Sequence, residues 1–267
     1  MKENNYKNLI LDFSDIYQDE KDKRFEFIDC RDIPGTDMYC TEYAKDVLNK
    51  RLKSYPPRGI HFIDSGNYHY MTKFFVEKIN TPFSLVLFDF HNDMQRPLLG
   101  NLTSCGSWAR ELIDGNEYLQ QLILIGPEEK TIEAADIKNR KKLIGISIED
   151  IEAKAYMPIL ENKFNSSYPI YISIDKDVLS EQYARTNWNQ GTMSLKILEE
   201  LIEGFFEHTK VIGVDVCGEN SKTEPILSEL NDEKINRSTD EKLYDFIERL
   251  VKGDYRYGKG ENLCYDS

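Results

Sequence analysis

Six short apolar runs constrain this chain more than any other feature: "GIHFID" (59–64), "FSLVLFDF" (83–90), "LQQLILIG" (119–126), "KLIGIS" (142–147), "YPIYISID" (168–175) and "TKVIGVDV" (209–216). Most lack the alternation of apolar and polar residues that marks a strand with one wet face. Near-continuous apolar strands fit a parallel sheet covered on both sides, where every side chain of the strand is buried. Helix-like segments lie between and beyond them, at 68–79, 106–115, 129–139, 194–207 and 239–252. The spacing predicts a helix from Ser194, whose hydroxyl can cap an orphan amide of the first turn. The expected fold class is therefore α/β, a three-layer α/β/α arrangement around a mainly parallel sheet.

The 267 residues contain no Gly-, Pro- or Ser-rich linker and no repeat of fixed period, so one domain over 1–267 is expected. The stretch "NDEKINRSTDEK" (231–242) stands out only by low hydrophobicity and reads as a solvated helix face. A formal charge of −13 argues against nucleic acid or an anionic membrane as partner, because both reward clustered Lys and Arg. The opening "MKENNYKNLILDF" has no signal-peptide pattern and no run approaches membrane-spanning length, so a cytoplasmic protein with a small-molecule substrate is expected. Five scattered cysteines without a C-x-x-C pair fit reduced thiols rather than a disulfide or zinc framework.

Three of the apolar runs end in polar clusters, at the edge where open α/β sheets collect ligands. After the first run comes His69, after the second Asp89, His91 and Asp93, and after the fifth Asp175 and Asp177. Alternate residues of an extended segment share a face, so Asp89, His91 and Asp93 are expected to converge. Crowded carboxylates need a proton, hydrogen-bonded partners or a cation. Two histidines and four carboxylates exceed the needs of one tetrahedral ion and suit two divalent ions bridged by carboxylates. Nitrogen and oxygen donors without thiolate fit Mn²⁺.

The succession "GNYH", "DFHND", "SIDKD" resembles the arginase and agmatinase superfamily of ureohydrolases, which share their fold with histone deacetylases. The resemblance covers about 59–219 and marks the chain as a divergent member with a single arginase-like domain. It implies that Asp89 and Asp175 bridge two Mn²⁺ ions, that His69 and Asp93 complete one and that His91 and Asp177 complete the other. A hydroxide between the ions would then attack the planar carbon of a small guanidino, amidine or amide compound. Relatives commonly form oligomers, which leaves a homo-oligomer open.

The chain also departs from the family. In "QRPLLGNLTSCGSWARELI" the place of the proton-transfer histidine falls on Thr103 or Cys105, depending on the alignment. The family's guanidinium-binding glutamate follows a strand as D-x-x-E, whereas "GVDVCGE" has Glu219 one residue late; Glu219 is the candidate substrate anchor. In "ARTNWNQGTMS" (184–194), Asn187 and Asn189 are candidate substrate contacts, while Trp108, Trp188, His61 and His208 read as structural. Two other functions compete: a mononuclear zinc hydrolase of deacetylase type, which needs only an Asp, His, Asp set, and an inactive metal-binding regulatory protein, given the missing histidine.

Overall fold

The computed structural model describes residues 6–17, 22–97, 100, 102–220 and 226–253. Eight strands form one sheet, parallel in every pairing: β1 (Leu9–Asp12), β2 (Glu26–Asp29), β4 (Ile60–Ile63), β5 (Phe83–Phe88), β7 (Leu119–Ile125), β8 (Leu143–Ile146), β9 (Ile170–Asp175) and β10 (Val211–Cys217). Their spatial order is β2-β1-β4-β10-β9-β5-β7-β8. Two remaining strands, β3 (Tyr39–Cys40) and β6 (Thr103–Ser104), make a small antiparallel pair beside the main sheet's ligand edge.

The six expected strands all form, each for the anticipated reason: alternate residues feed two separate cores. Leu85 and Leu87 of β5 join one apolar cluster, Val86 and Phe88 the other. Helices α1 (Glu42–Arg51), α2 (Met71–Val76), α3 (Trp108–Gly115) and α4 (Glu129–Glu133) cover the first face through residues such as Leu48, Phe75, Leu112 and Ile132. Helices α5 (Ile148–Glu152), α6 (Tyr156–Lys163), α7 (Leu195–His208) and α8 (Ile226–Val251) cover the second through Ile151, Leu160, Leu198 and Ile247. The result is the three-layer α/β/α architecture.

Ser194 caps α7, its hydroxyl accepting from the Ile197 amide. The helix expected over 129–139 ends at Glu133 instead. The Arg140 guanidinium takes up the carbonyls of Ile132, Glu133 and Ala135, and the Asp114 carboxylate accepts from the amides of Lys138 and Asn139, so side chains satisfy groups that a longer helix would pair internally. Strands β1 and β2, four residues each, and α1 went unanticipated. Helix α8 begins thirteen residues before the expected 239 and runs through the polar stretch 231–242.

Register sets the functional edge. Phe88 of β5 lies opposite Ile174 of β9, and Cys217 of β10 opposite Asp175, so the first residues past β5, β9 and β10 emerge side by side. Strand β4 neighbours β10 and delivers its following turn to the same edge.

Candidate metal centre

All six expected ligands arrive at this edge, though not by strand alternation. Strand β5 stops at Phe88, and 89–93 is a turn rather than an extended segment. Asp89 accepts from the His91 amide at 2.6 Å, and Asp93 sits in the left-handed region at φ 50°. That conformation is tolerable for Asp. It also lets the Asp93 carbonyl accept the Ala109 and Arg110 amides of the first turn of α3. Asp175 ends β9, and its carboxylate accepts from the Asp177 amide at 2.9 Å, which starts a 3-10 turn and brings Asp177 back to the edge. His69 follows a 3-10 turn (Gly66–Tyr68) just before α2.

His69 Nδ1 faces three carboxylates, 3.3 Å from Asp89, 3.2 Å from Asp93 and 3.4 Å from Asp175. His91 Nδ1 lies 2.8 Å from Asp177 and 3.5 Å from Asp89. Two groups of donors capable of holding a cation result: His69, Asp89 and Asp175, and Asp89, His91 and Asp177. Asp89 belongs to both, turning Oδ2 to His69 and Oδ1 to His91. Asp175 joins only the first of these groups.

The electrostatics of this cluster are costly as it stands. His69, Asp89, Asp175 and Asp177 are buried. Burial, reinforced by neighbouring carboxylates, pushes Asp175 up to about 8 and Asp177 up to about 6. Burial alone would lower the histidines; Asp177 and Asp89 outweigh it at His91, which rises to about 11, and Asp89 and Asp93 outweigh it at His69, which is also raised. His69 Nδ1 and Asp89 Oδ2 are buried with no hydrogen-bond partner among the described residues. Buried polar atoms are rarely left so, and two facing ones fit a shared cation.

Side chains behind the ligands fix their orientation. Ser173 donates to Asp215 at 2.6 Å, so its oxygen is left to accept from His69 Nε2 at 2.9 Å. With its proton on Nε2, a neutral His69 turns the Nδ1 lone pair to the carboxylates, the tautomer a metal needs. Thr72 also donates to Asp215, whose pKa burial lifts to about 6, leaving it ionised at neutral pH. Trp108 Nε1 donates to Asp93 at 2.6 Å, and the Phe90 amide donates to Asp177 at 2.9 Å. Nothing in the spacing of Ser173 and Asp215 advertised this chain of bonds; the signal was their place on buried faces of neighbouring strands.

A cavity of about 220 Å³ opens over Asp89, His91, Asp93, Asp175 and Asp177. Cys105 lines it; burial pushes its thiol up to about 12, so it is neutral at ordinary pH. Thr103 does not line it, and its hydroxyl donates to Glu111. Asn187 and Asn189 are exposed and also outside the lining, with Asn187 donating to Asn67. Their neighbour Trp188, read as a packing residue in preference to a ligand contact, forms part of the wall and stands edge-on to His91 at 5.7 Å between ring centres. The wall also includes Arg96, which the sequence reading did not single out.

Glu219 is not at this cavity. Its carboxylate bonds the Lys176 ammonium and accepts from Asn236 Nδ2 at 3.0 Å, on the side of the sheet edge facing α8. Asp240 of α8 accepts from the same ammonium at 2.7 Å. The anticipated contact of Glu219 with substrate is therefore replaced by a buried ionic cluster. His61, fully buried and stacked on Phe75, and His208, bonded to the Gly204 carbonyl, are structural as expected.

Comparison with known proteins agrees with this geometry. The model of the arginase family matches residues 11–225. An uncharacterized protein of Thermotoga maritima is 28% identical over 231 residues, 86% of this chain and 86% of that protein. Among solved structures, formimidoylglutamase from Bacillus subtilis superposes with a TM-score of 0.59 at 17% identity, over 94% of this chain and 89% of that one. The Trypanosoma cruzi formiminoglutamase solved with Mn²⁺ gives 0.59 at 12%, over 80% and 73%. With the ligand edge, the sheet order and the family match in agreement, the chain belongs to the arginase family.

Proposed function

We propose that this protein is a metal-dependent hydrolase of a linear, non-peptide C–N bond in a small guanidino, amidine or amide compound, working with two divalent cations, Mn²⁺ by preference. The observation that carries the reading is the pair of overlapping donor groups sharing Asp89, with His69 Nδ1 and Asp89 Oδ2 buried, facing each other at 3.3 Å and making no hydrogen bond among the described residues. His69, Asp93 and Asp175 would hold one cation and His91 and Asp177 the other, with Asp89 between them. Such cations, when bound, lower the pKa of water toward neutrality and polarise a planar carbon.

The chain's own residues supply orientation and enclosure. The Ser173–Asp215 pair holds His69 in its ligating tautomer, Trp108 donates to Asp93 Oδ2, and the Phe90 amide holds Asp177 Oδ1 so that Oδ2 faces His91 Nδ1. Trp188 forms part of the cavity wall. Of the two residues considered for proton transfer, Cys105 is the one facing the reacting volume, as a neutral thiol.

The test is metal analysis after Mn²⁺ loading and desalting, together with turnover on a panel of formamidines, guanidino acids and amides. Two ions per chain and hydrolysis of one compound class are expected, with Asp89→Asn losing both. One ion per chain would favour the mononuclear zinc reading, and two ions without turnover the regulatory one.

A further inference from the structure

Trp188 stands between two concavities. On one side is the cavity over the donor cluster; on the other is a wider groove walled by Phe90, Arg185, Gln190 and Asp232, and Trp188 lines both. The chamber on the metal side, about 220 Å³, is smaller than the roughly 300–1,000 Å³ of sites that enclose drug-sized ligands. Whatever occupies the place of the indole therefore decides whether that chamber ends there or runs on into the groove.

The indole is fixed in this place. A Cβ on Gly66 would stand 2.8 Å from Trp188 Cδ1, so the ring rests on backbone that only glycine leaves bare. The same Cβ would stand 3.2 Å from Asp175 Oδ2, which sets the ring beside a candidate ligand. Trp188 Nε1 donates to Asn67 Oδ1 at 3.0 Å, and Asn67 Nδ2 donates to Asp37 at 2.8 Å. The Thr186 hydroxyl accepts from the Trp188 amide and donates to its carbonyl. A rigid ring with two side-chain torsions, packed on backbone and hydrogen-bonded at its one polar atom, has little freedom to swing aside.

We propose that Trp188 is a specificity-determining residue, a fixed partition that keeps substrate out of the groove. A compound with one extended arm fits, that arm leaving by the open side of the cavity, whereas a compound extended on both sides of the C–N bond needs the second exit that the indole blocks. The proposal rests on the hydrolase reading for the bond concerned; the partition is measurable without turnover.

Hydroxamates chelate divalent cations through two oxygens and can carry chains on carbon and on nitrogen, the two sides of a C–N bond. The experiment titrates the Mn²⁺-loaded protein by calorimetry with hexanohydroxamate and N-butylhexanohydroxamate, and repeats both titrations with Trp188→Ala and Trp188→Leu at equal metal content. Trp188→Leu keeps an apolar cover over Gly66 should Trp188→Ala lose metal. The wild type binds the one-armed probe tighter by roughly tenfold or more, and the substitutions cut that ratio at least about fivefold by tightening the two-armed probe. Equal affinities in the wild type, a ratio unchanged in the variants, or no binding of either probe to Mn²⁺-loaded protein each overturn the proposal. Selective binding without hydrolysis of any compound on the panel of formamidines, guanidino acids and amides removes the reaction reading and leaves the partition standing; hydrolysis by a wild type that binds both probes alike does the reverse.

Discussion

Lys176 stands between Asp175 and Asp177 in sequence and points the other way, its buried ammonium meeting Glu219 and the partly exposed Asp240. One ammonium between two carboxylates leaves an excess negative charge, and the cluster resolves it by keeping a proton. Burial drives both acids up, but Lys176 outweighs it at Glu219, which is lowered, while burial together with the Glu219 charge holds Asp240 well above the ordinary carboxylate range. The neutral form is thus Lys176 ammonium, Glu219 carboxylate and Asp240 acid. Asp240→Asn imitates that acid and should cost no more than about 1 kcal/mol. Lys176→Met leaves a buried carboxylate without its cation and should cost about 3–5 kcal/mol. Glu219→Gln alone should be mild, because Asp240 can release its proton and take over the pairing. The double change Glu219→Gln with Asp240→Asn strands the ammonium and should cost about 3–5 kcal/mol, far more than the two singles together. There is a pH signature as well. Because the folded pKa of Asp240 is raised, stability is greatest below the unfolded value of roughly 3.9 and falls as pH rises above it, by about 1.4 kcal/mol per pH unit until the acid ionises. Asp240→Asn should remove that contribution. Urea unfolding of the four variants in chelator, across pH 5–8, measures all of this. Additive costs, or a large penalty for Asp240→Asn alone, would mean that both carboxylates are ionised and the proton assignment is wrong.

Ser173→Ala deletes the acceptor that keeps a proton on His69 Nε2, so Mn²⁺ affinity by calorimetry should fall roughly 10- to 100-fold; unchanged affinity would show that the tautomer is set otherwise. Gly218→Ala pushes a methyl onto Asp175 at a positive φ and should lower both stability, by more than about 1 kcal/mol, and metal content; a variant with wild-type melting and occupancy would refute the close approach. Asp12 is fully buried, its Oδ2 making no hydrogen bond among the described residues though the Arg31 guanidinium lies 3.7 Å away, and burial, then Asp64, lifts it to about 6. A raised folded pKa means stability lost as pH climbs from about 4 to 6, so Asp12→Asn should gain about 1–3 kcal/mol at pH 7 and nothing near pH 3; a gain independent of pH contradicts the sign.

The legible part of this protein is the part built from strands buried on both faces. Runs such as "FSLVLFDF" and "YPIYISID" announce themselves because nearly every residue is apolar along the strand, and the first carboxylates reached at their ends are Asp89, just past β5, and Asp175, the last residue of β9. Even there the convergence came from turns, since Asp93 needs a left-handed residue and Asp177 a 3-10 turn, and no alternation rule places them. What the sequence conceals is polar burial. Residues 231–242 read as a wet helix face, yet Asn236 and Thr239 are buried, Asn236 bonding both the amide and the carbonyl of Arg185 and Thr239 the Tyr183 carbonyl. These bonds fasten the loop that carries Trp188 into the cavity wall, and Asn236 also holds Glu219. Hydrophobic periodicity registers burial only where burial is apolar. Residues that satisfy one another across a loop and a helix leave no such trace, which is why Glu219 could be placed one residue from a substrate site and still belong to the opposite side of the sheet edge.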